Sequence, residues 1–143
     1  MISQALAAQL KDAGLVWHTS VHDFFAIPDR DLDGRIFVLS DMMVTMQLLR
    51  GWPAVVFHGT SEWALDYLFT HEAIWLPTES QLREKLEEEL AARNGRFHQL
   101  QRQEAGYVCE VALDGERLAF TAVDPSEAYG LALLDLLQRP MLK

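Results

Sequence analysis

Asp29, Asp31 and Asp33 stand at alternate positions in the stretch PDRDLDGRIFVLSD and are followed by Gly34 and Ile36. Oxygen donors at loop positions one, three and five, glycine at six and an apolar residue at eight are how a calcium loop of the EF-hand type begins. Counted from Asp29, the twelfth position is Ser40, where such a loop closes with a bidentate glutamate, and Asp41 comes one step late. Pro28 precedes the loop and an extended apolar pattern follows it, where an EF-hand has helices. An Asp-Gly turn between two strands accounts for the same residues, since both types favour turns for local reasons. The turn is the main expectation, and a weak divalent-cation site at Asp29, Asp31 and Asp33 is the alternative.

A second constellation lies in FHGTSEW, Phe57 to Trp63. A strand runs into a glycine and a helix begins with two hydroxyls. Free backbone N–H groups at a helix start can hold an anion, and a histidine beside them is a general acid or base. His58, Gly59, Thr60 and Ser61 are therefore candidate ligand-binding residues. Against this, the phosphate-loop lysine and the Gly-x-Ser-x-Gly elbow are both missing, and Thr60 and Ser61 are the caps that the helix itself needs. The remaining histidines are scattered. His18 and His22 share a face in strand-like sequence but stand ~13 Å apart at strand rise, too far for one metal ion. No His-Glu-x-x-His or paired-cysteine pattern exists, so no catalytic residue and no cofactor is expected. Cys109 falls on the apolar side of a hairpin and reads as a structural thiol.

Composition narrows the partners. The formal charge is −9, from 21 acidic and 12 basic side chains. A field of that sign repels nucleic acid and anionic membranes, and leaves a protein partner, or a second copy, as the expected associate. The single cysteine cannot form an internal disulfide, the N-terminus has no signal-peptide pattern, and no stretch reaches the ~18 apolar residues of a membrane span. A cytoplasmic protein is expected. Its 143 residues fit one domain, 1–143, and a chain of that length needs no metal or disulfide to hold a core.

The elements that must position these residues are legible as patterns. SQALAAQLKDAG predicts a helix with Leu6, Leu10 and Ala13 on one face and Gly14 as its left-handed cap. LVWHTS and DFFAIP predict short strands, the second ended by Pro28. RIFVLSDMMVTMQLL predicts one long strand, or two with a break near Asp41, and Gly51 and Pro53 mark a turn. AVVFHG predicts a central strand, buried on both faces. SEWALDYLFTH predicts a helix, AIWLP a strand, and TESQLREKLEEELAAR a helix with a Thr78–Gln81 capping box and a narrow stripe of Leu82, Leu86 and Leu90. Glu79 with Arg83 and Lys85 with Glu89 are candidate ion pairs on its open faces. GYVCEVALDGERLAFTA predicts a hairpin about Asp114-Gly115, with Val111 opposite Leu118, Cys109 opposite Phe120 and Tyr107 opposite Ala122, all on one face. DPSEAYGLALLDLLQR predicts a helix capped by Asp124, with Pro125 at its first position, Glu127 completing the box, and Leu131, Leu133, Leu134 and Leu137 as its apolar face. The predicted class is α+β: a mainly antiparallel sheet, with a mixed one as the alternative, of about five to seven strands with four helices packed on it as a single layered sandwich.

AGLVW and DFFAIPDR near the start, GTSEWALD with WLPTESQLR in the middle, and EAYGLALLDLL at the end resemble a small bacterial domain family of uncharacterised function. Some of its members carry a pilus-assembly label. The resemblance spans nearly the whole chain and carries over no catalytic residues. Much of the middle motif also follows from folding: Trp63, Leu65, Leu68, Trp75 and Leu76 bury a helix against a sheet, while Glu62, Thr78 and Gln81 terminate helices. The expected function is a non-catalytic interaction or assembly domain that self-associates as a homodimer through an edge strand or an aromatic patch. Trp17, Trp52, Trp63 and Trp75 are expected mostly in core or sheet–helix contacts, with one or two lining a groove or an interface, and Met42, Met43 and Met46 form a soft apolar cluster that reads as core or as an adaptable binding surface. The alternatives are a small-ligand or anion binder, or an enzyme, at His58 to Ser61, and a cation binder at Asp29 to Asp33.

Overall fold

A computed structural model describes residues 1–28, 35–40, 44–57 and 67–140. Along them the chain runs α1 (Gln4–Asp12), β1 (Phe24–Ala26), β2 (Phe37–Val38), β3 (Val44–Leu49), β4 (Trp52–Phe57) and β5 (Tyr67–Phe69). After a single 3-10 turn (Thr70–Glu72) come β6 (Ile74–Leu76), α2 (Glu79–Ala92), β7 (Arg96–Gln103), β8 (Gly106–Leu113), β9 (Glu116–Ala122) and α3 (Pro125–Gln138). The class is α+β with antiparallel pairing throughout, but the strands divide into three sheets of three, and the α-helices among the described residues number three. One sheet of five to seven strands with four helices is thus corrected. The residues fall into two compact units, Met1–Val16 with Pro77–Lys143, and Trp17–Leu76.

In the first unit the helix ends follow local rules. The Ser3 hydroxyl accepts from the Leu6 N–H at 3.2 Å. At the other end of α1 Gly14 takes φ +112, Leu15 N–H donates to the Leu10 carbonyl and Gly14 N–H to Lys11, a Schellman closure. Helix α2 opens on the predicted capping box, in which Thr78 Oγ1 accepts from Gln81 N–H and Gln81 Oε1 from Thr78 N–H. Asn94, at φ +57, closes it in the same way, with Gly95 N–H on the Leu90 carbonyl at 2.7 Å. The buried stripe is the expected Leu82, Leu86 and Leu90. On its outer faces Lys85 meets Glu88 and Arg83 meets Glu87, while Glu89 goes to Arg93.

Helix α3 departs from its predicted pattern. Asp124 caps it through Ser126 N–H at 2.8 Å, but the Glu127 carboxylate accepts from Ser3 N–H of the first helix at 2.9 Å. Its buried face is Ala128, Tyr129, Gly130, Ala132, Leu133 and Leu136; of the four leucines predicted there only Leu133 is buried, and Leu131 is exposed. Gly130 explains the shift. A Cβ at that position would stand 2.8 Å from Leu6 Cδ2, so α1 comes close along the small-residue face and the leucine face turns aside.

The sheet order in this unit is β7-β8-β9. The hairpin register is the one predicted: Val111 faces Leu118, Cys109 faces Phe120 and Tyr107 faces Ala122. That face lies under the helices, and α3 packs on β8 and β9. β7 carries an irregularity between Phe97 and Gln99, so the half-buried Phe97 and Leu100 reach the same side at a spacing of three.

In the second unit the sheet orders are β2-β1-β6 and β3-β4-β5. A shared core joins Phe25, Ile27 and Leu39 with Val55, Leu68 and Ala73, and Trp17 and Phe37 pack against it. The Phe25 ring lies between Trp17, centroids 5.3 Å apart, and Phe37, at 5.6 Å. LVWHTS forms no strand. Its end instead folds into a turn held by the buried Asp23 carboxylate, whose Oδ2 accepts from Trp17 Nε1 and Ser20 N–H, both at 2.9 Å. RIFVLSDMMVTMQLL yields two strands, in different sheets, and the turn that follows β3 is Arg50-Gly51, with Pro53 inside β4. Pro53 lies opposite Leu48, one step outside the Ala54–Val56 stretch that pairs with β5, so no third strand needs its missing N–H. The predicted helix SEWALDYLFTH is corrected at its end: Tyr67–Phe69 are strand, because Leu68 pairs with Val55 and is wholly buried there. Residues 61–66 lie outside the described residues.

Candidate functional site

Asp29, Asp31 and Asp33, and likewise His58, Gly59, Thr60 and Ser61, lie outside the described residues, as do Trp63, Met42 and Met43. Among the described residues no group of three or more His, Cys, Asp or Glu is placed to hold a metal ion. None of the helices among them is long and apolar enough to cross a membrane.

Cys109 is completely buried, and burial pushes its thiol up to about 12, with the negative charge of Glu110 adding to the effect. Burial likewise raises the Tyr129 phenol. A rise from 9.0 to about 12 lowers the thiolate population about a thousandfold at neutral pH. Iodoacetamide should therefore label Cys109 in native protein far more slowly than in urea-unfolded protein, and comparable rates would contradict the burial. The linkage sign follows. The stability held by the neutral thiol is complete below about pH 9 and is lost as pH rises towards 12, because the unfolded chain ionises first. Cys109→Ala should flatten the alkaline limb of the stability profile.

The β3–β4 hairpin presents apolar groups outward. Arg50 and Gly51 take φ +54 and +84, the signs a two-residue type I′ turn demands. The closing pair is Leu49–Trp52. Alternation from that pair turns the backbone amides of Val44, Met46 and Leu48 away from β4, towards the open side of the sheet. Met46 and Leu48 share a face with Val55 and Pro53. Val55 is wholly buried, whereas Met46 is 43% and Leu48 72% exposed, so the core covers the centre of this face and leaves its β3 margin bare. On the opposite face Trp52, 58% exposed, meets the His71 ring edge-on at 5.3 Å, and His71 stacks on Phe69 at 5.4 Å. With Arg50 these rings line a shallow hollow of about 500 Å³. The other described tryptophans, Trp17 and Trp75, serve the interior of the second unit.

Two further clefts flank the Asp114-Gly115 turn of the first unit. The one of about 470 Å³ is lined by Arg93 and Arg139, whose charges are taken by Glu89 and Asp135. The one of about 350 Å³ opens on the outer face of the sheet and holds Arg96, His98 and Arg117 around Ala112. Sequence reading missed these three residues. Arg117 was readable, since the hairpin register already sets it opposite Ala112, but Arg96 and His98 sit on β7, whose irregularity hides the strand period.

No protein-family model, curated protein or solved structure matches the chain.

Proposed function

We propose that the chain is a non-catalytic interaction or assembly domain that self-associates as a homodimer through the outer edge of β3. The carrying observation is that edge itself. Val44–Leu49, VTMQLL, contains no charged residue, ends the order β3-β4-β5, and exposes Met46 and Leu48. Edge strands are ordinarily guarded by lysine, proline or a bulge against pairing with another chain, and β3 has none of these.

Charge favours a second copy as the occupant. Two chains of formal charge −9 repel over most of their surfaces. An uncharged strand laid antiparallel on its own copy sets no like charges opposite each other, and it closes a two-fold contact. Outward amides then supply the ladder, and the apolar margins of the two copies cover each other. The resemblance to a domain family some of whose members carry a pilus-assembly label points to the same class of role.

Sedimentation equilibrium across a concentration series tests this reading. A monomer–dimer equilibrium is expected, and Leu48→Lys should raise its Kd at least ~10-fold, because lysine on an edge opposes strand addition. Leu48 is exposed, so thermal unfolding of the variant should match the parent. A strict monomer up to ~1 mM, or a dimer indifferent to Leu48→Lys, would overturn the reading.

A further inference from the structure

We propose that the cleft over Ala112 binds a phosphoryl group, either free phosphate or a small organic ester of it. Arg96 and Arg117 are the register partners of Ala112 on its two sides, so the three residues share one face with the smallest side chain in the middle. Strands lie ~4.8 Å apart, which puts the two arginine Cα atoms about 10 Å apart with a low floor between them. Guanidinium groups on three-carbon stems can converge across that gap. Arg117 Nη1 lies 3.3 Å from His98 Nε2. A guanidinium only donates, so Nε2 is the acceptor, and the contact holds the Arg117 fork over the sheet.

Pairing and position together set these two apart: Arg35, Arg50 and Arg102 also have no carboxylate partner among the described residues, but Arg96 and Arg117 line one cleft. The chain carries 21 acids against 12 bases. Arg83, Arg93 and Arg139 each pair with a carboxylate one helical turn away. Arg96 and Arg117 have no carboxylate partner among the described residues, although Glu110 and Glu116 belong to the same sheet. Two unneutralised guanidinium groups, on opposite sides of one cleft, are arranged for an anion with acceptors on more than one side. A carboxylate offers two oxygens and satisfies one fork. A phosphoryl group offers three oxygens and a charge near −2, enough for both. A cleft of about 350 Å³ also leaves room for a small organic group beyond the phosphoryl. Asp114 lines the same cleft, and its carboxylate opposes any anion there. That opposition makes a test with two signs.

The test is an amide-resolved NMR titration of the full chain at low salt, with inorganic phosphate, phenyl phosphate, acetate and chloride at matched ionic strength. Saturable shifts confined to Asn94, Ala112, Gly115 and Arg117 are expected with the two phosphates. Tighter binding of phenyl phosphate identifies an organic ester as the natural source, and equal binding identifies free phosphate; both uphold the phosphoryl assignment. The double variant Arg96→Ala, Arg117→Ala should weaken binding at least ~10-fold with an otherwise unchanged spectrum, since both side chains are exposed. Asp114→Asn should tighten binding by roughly threefold and keep the turn, because asparagine tolerates the positive φ that Asp114 adopts. Shifts equal to those of acetate or chloride, no saturation, or unchanged binding in the double variant would overturn the proposal.

Discussion

Gly106→Ala should destabilise the first unit by about 3–5 kcal/mol, combining backbone strain with overpacking. Gly106 opens β8 after the two-residue loop Glu104-Ala105 and takes φ +145, a conformation that L side chains rarely adopt. A Cβ there would run into the Ala122 carbonyl of β9 and stand 3.0 Å from the Val123 Cα. Both obstacles are backbone atoms of a neighbouring chain segment, so no rotamer change relieves them. Against a typical total of 5–15 kcal/mol the loss is large. Gly115→Ala is the matched control. Gly115 also has positive φ, +77, but nothing lies within 4 Å of its added Cβ, so only the left-handed strain of about 1–2 kcal/mol remains. Urea midpoints of the two variants separate strain from collision. Equal losses would mean that the β8–β9 approach is looser than described.

Asp23→Ala should cost the second unit roughly 3 kcal/mol. Asp23 is 3% exposed, and one oxygen serves both Trp17 Nε1 and Ser20 N–H. Removing the carboxylate leaves the half-buried Trp17 Nε1 without its acceptor, at ~1–3 kcal/mol, and undoes the charge-assisted bond from Ser20 N–H, an exposed residue that water can serve. It also frees the Trp17 ring, which packs on Phe25, and loosens a turn whose backbone is tied to β2's exit by His22 N–H to Leu39 O at 2.8 Å and Leu39 N–H to Asp23 O at 2.9 Å. Asp23→Asn keeps an acceptor oxygen and should lose about half as much. A loss below ~1 kcal/mol in the alanine variant would show that the turn stands without its carboxylate.

How far the fold was legible depended on whether local chemistry and tertiary demand agreed. At Asp114-Gly115 the turn type fixes a register and the alternation of Cys109, Val111, Leu118 and Phe120 repeats it, so two independent signals coincide. The Thr78–Gln81 box is likewise a closed local statement. Failures came where neighbours decide. YLF reads as helix in isolation, yet Leu68 and Phe69 pair with Val55 and Ala54. The α3 leucines follow a helical period, but the close approach of Leu6 to Gly130 selects another face. The Arg96–Ala112–Arg117 juxtaposition has no sequence spacing to betray it, since it is made by register across three strands. The β3 edge was foreseen only as a type of surface: its composition shows in VTMQLL, but which strand lies outermost is a fact of sheet order.

The partition of the chain carries a consequence for its synthesis. Met1–Val16 belongs with Pro77–Lys143, so the segment between them leaves the ribosome whole while the surrounding unit is still unfinished. Leu6 and Leu10 acquire their cover only when α3, Pro125–Gln138, has emerged. At translation speeds of 5–20 residues per second that wait is roughly 10 s. During it Leu6 and Leu10 stay uncovered in the nascent chain, and a nine-residue segment gains a lasting helical form only with that packing, so α1 sets late.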